Sequence, residues 1–180
     1  TENLGAAVEE RIAFDITGAL VERLPYPQIV TSLDRIHQIL RALIPEGTYR
    51  LGRGITSYAE TGSGVLAKFE DGSREEADLI IGADGFRSAI RAQMLPEVQP
   101  QYSGYVVWRA LADEQVVPED SFREFGFFAP NGTQIVGYPI AGLNNDLRRG
   151  HRRYNFVWYS AATAAELRDM LTDDDGTRRK

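Results

Sequence analysis

The sequence contains no cysteine, an absence that removes disulfides, thiolate metal sites and a cysteine nucleophile together. No apolar run approaches the ~20 residues that span a bilayer, and no signal-peptide pattern opens the chain. A reducing cytoplasm is the expected setting. Histidine is nearly absent: His37 falls in a helical pattern as a surface residue, and His151 sits among loop arginines. No Ser/His/Asp set, metal-ligand cluster or carboxylate pair has supportive spacing, so no residue is singled out as catalytic or metal-binding. The dinucleotide fingerprint Gly-x-Gly-x-x-Gly is missing as well. Gly52-Arg53-Gly54 runs into Ile55-Thr56-Ser57 without a strand-to-helix setting. Positive charge is not in excess either: 20 Lys+Arg against 26 Asp+Glu give a net charge of -6, which argues against a nucleic-acid partner.

What is present is a globular composition. The chain of 180 residues is 43% hydrophobic and 10% aromatic, enough for a sizeable core in one ordinary domain or two smaller pieces. The basic run 148–153 reads as a solvated loop. Alternation predicts strands at 11–15 and 19–24 around the turn Ile16-Thr17-Gly18. Pro25 and Pro27 then block regular structure and hold the chain extended. Ser32 caps a helix with Asp34 in its first turn. Leu33, Ile36, Ile39, Leu40 and Leu43 form one apolar stripe, which predicts packing on a sheet, and Pro45 and Gly47 close the helix.

Further β segments are expected at 49–54, 55–60 and 65–70, followed by the hairpin signal Asp71-Gly72. The continuous apolar run at 77–82 suits a strand buried on both faces. A helix starts at Ser88 and ends before Pro96. From Tyr102 onward, segments 104–111, 122–128, 133–139 and 154–159 are rich in β-branched and aromatic residues, with turn clusters at 130–132 and 142–145. They predict an antiparallel sheet, and residues 164–171 a closing helix. The fold class is α/β, or α+β, in two parts. With no methionine at Thr1 and a polar tail from 172 to 180, the chain is expected to be internal to a longer protein.

The most informative stretch is Gly82-Ala83-Asp84-Gly85-Phe86-Arg87-Ser88-Ala89-Ile90-Arg91, directly after Asp78-Leu79-Ile80-Ile81. A strand ending at a glycine-bearing turn, with a helix beginning at once, presents unpaired backbone N–H groups that favour a bound anion. Gly82 and Gly85 allow positive φ and close ligand approach. Asp84 can accept from ribose hydroxyls or bond neighbouring amides. A plain tight turn with Asp84 as helix cap is the competing reading.

The pattern Gly-Ala-Asp-Gly-x-x-Ser-x-x-Arg resembles the DG motif of the para-hydroxybenzoate hydroxylase family, the single-component aromatic flavoprotein monooxygenases. The resemblance implies that Gly82, Asp84 and Gly85 lie near the FAD ribose and pyrophosphate, that Ser88 supports the turn, and that Arg87 and Arg91 contact NAD(P)H transiently. The segments beginning at Asp15, Tyr102 and Arg152 resemble the 2,6-dihydroxypyridine hydroxylase branch. By this resemblance, residues 1–30 are substrate-domain strands, 31–97 a portion of a Rossmann-like FAD-binding domain, and 98–180 mainly the antiparallel substrate-domain sheet. The implied reaction hydroxylates a small aromatic or heteroaromatic ring with NAD(P)H and oxygen, with no membrane or nucleic-acid partner and a homodimer left open. Tyr105, Trp108, Tyr138, Trp158 and Tyr159 are candidates to line a pocket for a planar ring, or to pack the sheet. Three departures stand out: the opening glycine fingerprint and the later Gly-Asp motif are both missing, and Leu33 stands where many members place arginine. A non-catalytic fragment, or a same-fold flavin reductase or halogenase, are the alternatives.

Overall fold

The computed structural model describes residues 3–130 and 132–179. Asn131, in the turn predicted at 130–132, lies outside the described residues, as do residues 1, 2 and 180. In chain order the elements are β1 (Ala6–Phe14), β2 (Leu20–Val30), α1 (Leu33–Ala42), β3 (Ile55–Glu60), β4 (Val65–Phe69), β5 (Arg74–Ala77) and α2 (Ala89–Met94). They continue as β6 (Tyr105–Asp113), β7 (Glu124–Phe128), β8 (Thr133–Ile140), β9 (Arg153–Ala161) and α3 (Ala164–Met170). Two compact units result: Thr1–Leu43 with Ser103–Lys180, and Ile44–Tyr102.

The first unit is built on a six-stranded sheet in the order β2-β1-β7-β8-β9-β6. The expected antiparallel sheet is in fact mixed, because β1 and β7 pair in parallel. A parallel pair needs a long crossover, and the whole second unit is threaded between these two strands. The prolines do not end β2 as predicted; the strand continues through Pro25 and Pro27 to Val30. It lies at the sheet edge, where a missing N–H breaks no inner ladder, and a register shift in β1 between Val8 and Glu10 absorbs the irregularity.

Strand alternation divides the side chains between two faces. On one, Ala6, Val8 and Val30 are buried, with Phe125, Tyr138 and Leu147 packed against them. The Phe125 and Tyr138 rings stack at 4.8 Å. On the other, Gly126 and Gly137 are register partners that make room for Tyr154. A Cβ on Gly137 would lie 2.6 Å from the Tyr154 ring. Phe122, from the 3-10 turn Glu119–Arg123, meets Tyr154 edge-on at 5.7 Å. Burial there pushes the Tyr154 hydroxyl up to about 12.

Helix α1 starts as predicted, the Ser32 hydroxyl accepting from the Arg35 amide at 3.1 Å. Its apolar stripe, however, is not buried: Leu33 is 80% and Leu43 77% exposed. Within its unit the helix is held instead by polar ties, from Arg35 to the Asn3 carbonyl at 2.8 Å and from Asn145 to Gln38 at 2.6 Å. α3 opens on a capping box formed by Thr163 and Glu166.

The second unit carries the antiparallel sheet β3-β4-β5. The predicted strand at 49–54 is turn and coil, its Arg50 and Arg53 drawn to Glu75 and Asp71. The predicted buried strand at 77–82 is also absent: β5 ends at Ala77, and Leu79 and Ile81 are 72% and 79% exposed. A strand exists only with a ladder partner, and among the described strands the pairing with β4 ends at Ala77. α2 docks through Gln93, whose amide accepts from the Tyr58 N–H at 3.0 Å and donates to its carbonyl at 2.6 Å. That side chain imitates a neighbouring strand along the free edge of β3.

Candidate functional site

The turn expected from sequence forms between Gly82 and Ser88 and leads into α2, without the strand predicted before it. Ser88 is the N-cap and is buried, at 6% exposure. Its hydroxyl accepts from the Arg91 amide at 2.9 Å and donates to Asp84 at 2.5 Å. The second Asp84 oxygen accepts from the amides of Ala89 at 2.7 Å and Ile90 at 3.3 Å. The Ser88 hydroxyl first, then the Ile90 and Ala89 amides, hold the Asp84 carboxyl below its usual range. The helix amides predicted to be free for an anion are therefore already taken: Asp84 and Ser88 together satisfy the first turn of α2.

The two glycines serve different ends. Gly85 has φ +76, and a Cβ there would meet nothing within 4 Å, so the backbone is bare and open. Gly82 does not use the predicted positive φ; its Cβ would come 2.7 Å from Ile90, so it is small because the turn closes on the helix. Arg91 folds back, its guanidinium donating to the carbonyls of Gly85 and Phe86. Arg87 lies over the Phe86 ring at 5.2 Å. Gly82, Asp84, Gly85, Arg87, Ser88 and Arg91 are thus gathered in one place, with Asp84, Ser88 and Arg91 bonded to the turn itself.

The first unit contains a second arrangement. A cavity of about 580 Å³ opens on the Tyr138 face of the sheet, bounded by the start of α1 and the loop at 141–145. Arg109 and Leu111 of β6, Tyr138 and Ile140 of β8, and Arg153 and Asn155 of β9 form its floor. Register explains the grouping: Leu111 and Tyr138 both oppose Asn155, and Arg109 opposes Val157. Gln38 ties the rim together, accepting from Asn145 and donating to Asp34 at 2.8 Å. Of the five aromatics considered from sequence, Tyr138 alone borders this cavity. Trp108 and Trp158 are cross-strand partners on the other face, with the Trp158 indole N–H donating to Thr133 at 2.5 Å.

Arg109, Arg153 and Asn155 were not singled out from sequence. The available signal was alternation: Arg109 with Leu111 two residues on, and a lone amide at Asn155 inside an apolar strand. Among the described residues no group of three or more His, Cys, Asp or Glu could hold a metal ion, and no helix is long and apolar enough to cross a membrane.

Comparison with known proteins agrees with this architecture. Residues 102–180 match the family model for FAD binding domain-like proteins. The 2,6-dihydroxypyridine 3-monooxygenase of Paenarthrobacter nicotinovorans is 30% identical over 168 residues, 91% of this chain and 41% of the relative. The 3-amino-4-hydroxybenzoate 2-monooxygenase of Streptomyces cremeus is 37% identical over 110 residues, 59% of this chain and 27% of the relative. The solved 2,6-dihydroxypyridine-3-hydroxylase from Arthrobacter nicotinovorans superposes with a TM-score of 0.86 at 29% identity, covering 99% of this chain and 46% of that one. The chain spans less than half the length of these relatives. In fold over nearly its whole length, and in sequence, the chain is similar to part of these aromatic-ring monooxygenases.

Proposed function

We propose that the protein takes part in FAD-dependent hydroxylation of an aromatic or heteroaromatic ring, with NAD(P)H as reductant and dioxygen as oxygen source. The observation that carries this reading is the cavity on the Tyr138 face, in a fold that superposes on a hydroxylase with a TM-score of 0.86. At about 580 Å³ it is within the ~300–1,000 Å³ typical of small-molecule sites, and one aromatic ring with a few polar groups suits a planar substrate.

The turn at Gly85 fits a sugar–phosphate group, because its backbone is bare, open and in a left-handed conformation. FAD, when bound, supplies the redox chemistry that activates oxygen. Gly82, Asp84, Gly85 and Ser88 would shape the turn that receives its ribose and pyrophosphate. Arg87 and Arg91 would offer positive charge to NAD(P)H, Arg91 by leaving the carbonyls of Gly85 and Phe86. In the first unit Tyr138, Leu111 and Ile140 would orient the ring and exclude water. In this reading, 31–97 is a portion of the FAD-binding domain, 1–30 and 98–180 serve the substrate, and the protein works in the cytoplasm.

The test is NAD(P)H consumption by the complete enzyme with a panel of hydroxylated benzoates and pyridines, with products read by mass spectrometry. A product carrying one added oxygen is expected. NAD(P)H oxidation without any oxygenated product, across the panel and with free flavin as acceptor, would favour a flavin reductase instead.

A further inference from the structure

The two edges of the six-stranded sheet, β2 and β6, are finished differently. An edge strand offers a row of unpaired backbone groups, which native proteins guard with proline, bulges or lysine. β2 carries Pro25 and Pro27, and register shifts interrupt its pairing with β1. β6 has neither proline nor lysine, and it pairs with β9 residue by residue from Tyr105 to Asp113 without a shift. Tyr105, Val107, Trp108 and Leu111 are 44–50% exposed along it.

Two bonds fix which backbone groups of β6 face outward. The Gly104 carbonyl accepts from the Ala162 amide, and the Glu114 amide donates to the Arg152 carbonyl, both at 3.0 Å. In an antiparallel ladder the bonded residues alternate, so the even-numbered residues of β6 bond to β9. The backbone groups of Tyr105, Val107, Arg109, Leu111 and Asp113 therefore point away from the sheet. Alternation also puts the Arg109, Leu111 and Asp113 side chains on one face. Arg109 and Asp113 are exposed, and among the described residues neither takes part in an ion pair.

We propose that β6 pairs antiparallel with β6 of a second copy of this chain, about a two-fold axis at Leu111. A two-fold interface is self-complementary, residue i meeting j and j meeting i. Centred on Leu111, it sets each Arg109 opposite the other copy's Asp113, and all of these positions are outward-bonding ones. Centred on Arg109, the same strands would set two guanidiniums face to face, which is destabilising. Centres at Val107, Trp108 or Ala110 leave both charges without an opposite one. The charge pattern thus selects a second copy as the occupant of this edge and fixes its register. Because Arg109 also borders the cavity, each copy lends the other a carboxylate at that floor. The pairing stands whether or not the ring chemistry does.

The experiment is sedimentation equilibrium of the full chain from micromolar to millimolar concentration, with amide exchange followed residue by residue. An interface this short belongs with weak complexes, so a monomer–dimer equilibrium with a dissociation constant on the order of 100 μM is expected. In the dimer the amides of Arg109, Leu111 and Asp113 should exchange more slowly, while those of Tyr105 and Val107 stay fast. Arg109→Asp or Asp113→Arg alone sets like charges opposite each other and should weaken association at least about tenfold. The double variant puts opposite charges back in register and should restore the dimer. Circular dichroism checks that each variant folds, and the exchange pattern of the wild type tests the register without any variant. A monomer at every concentration, association indifferent to either single reversal, a double variant that stays monomeric, or slowed exchange at Tyr105 and Val107 overturns the proposal.

Discussion

Asp84 is claimed by two roles at once. Its carboxylate closes the first turn of α2, and it stands in the turn proposed to receive FAD. In the complete enzyme, Asp84→Ala should melt earlier, since three hydrogen bonds are lost, yet the larger effect should be on bound flavin per folded protein. Melting temperature and flavin occupancy measured on one preparation separate the roles; full occupancy in a destabilised variant would leave Asp84 as a cap alone. Acid titration checks the capping part. The folded carboxyl is held below its ordinary 3.8, so its stabilisation is fully present above that value and is lost as pH falls through the lower folded value. The melting temperatures of wild type and Asp84→Ala should therefore converge below about pH 3.8; a constant gap into stronger acid would refute the link. The turn was legible in sequence because its partners are four to six residues apart. Asn155 was not, since what makes it informative is burial beside residues from two other strands.

The loop between β8 and β9 shows the same contrast at the level of elements. The basic run at 148–153 was expected to be a solvated loop, and Arg148 and Arg149 are exposed, paired at the surface with Asp146 and Glu119. Arg152 is different. Its side chain is 18% exposed and pairs with Glu114 while lying 4.8 Å over the Phe122 ring. Glu114 also accepts from the amides of Gly150 at 2.8 Å and Arg152 at 3.0 Å. The Arg152 guanidinium foremost holds its carboxyl below the usual range. Nothing in the run itself marks this residue, because its partner lies 38 positions earlier. Glu114→Ala strands a buried cation and two amides and should cost about 3 kcal/mol in urea unfolding; a loss below about 1 kcal/mol would mean the pair is no better than a surface one. The strands from β6 to β9 were legible because their alternation is local. The strand predicted at 77–82 was not formed, because an apolar run becomes a strand only beside a partner.

Across the whole molecule, the turn proposed to receive FAD has its helix amides already occupied. Tight flavin binding needs several converging segments, so the 180-residue chain by itself should show no saturation when titrated with micromolar FAD and followed by flavin fluorescence. A sub-micromolar dissociation constant would contradict this. The parallel pairing of β1 with β7 has a consequence in time. Glu10 meets Glu124, so during synthesis the first strand must wait for its inner neighbour. At ~5–20 residues per second that wait is roughly 6–23 s. The unit Ile44–Tyr102 is contiguous and can close on itself meanwhile, while the β1–β2 hairpin keeps an unpaired inner edge beside Val8 and Ile12. The nascent chain is thus most open to misassembly, and to capture by chaperones, between the emergence of β1 and that of β7.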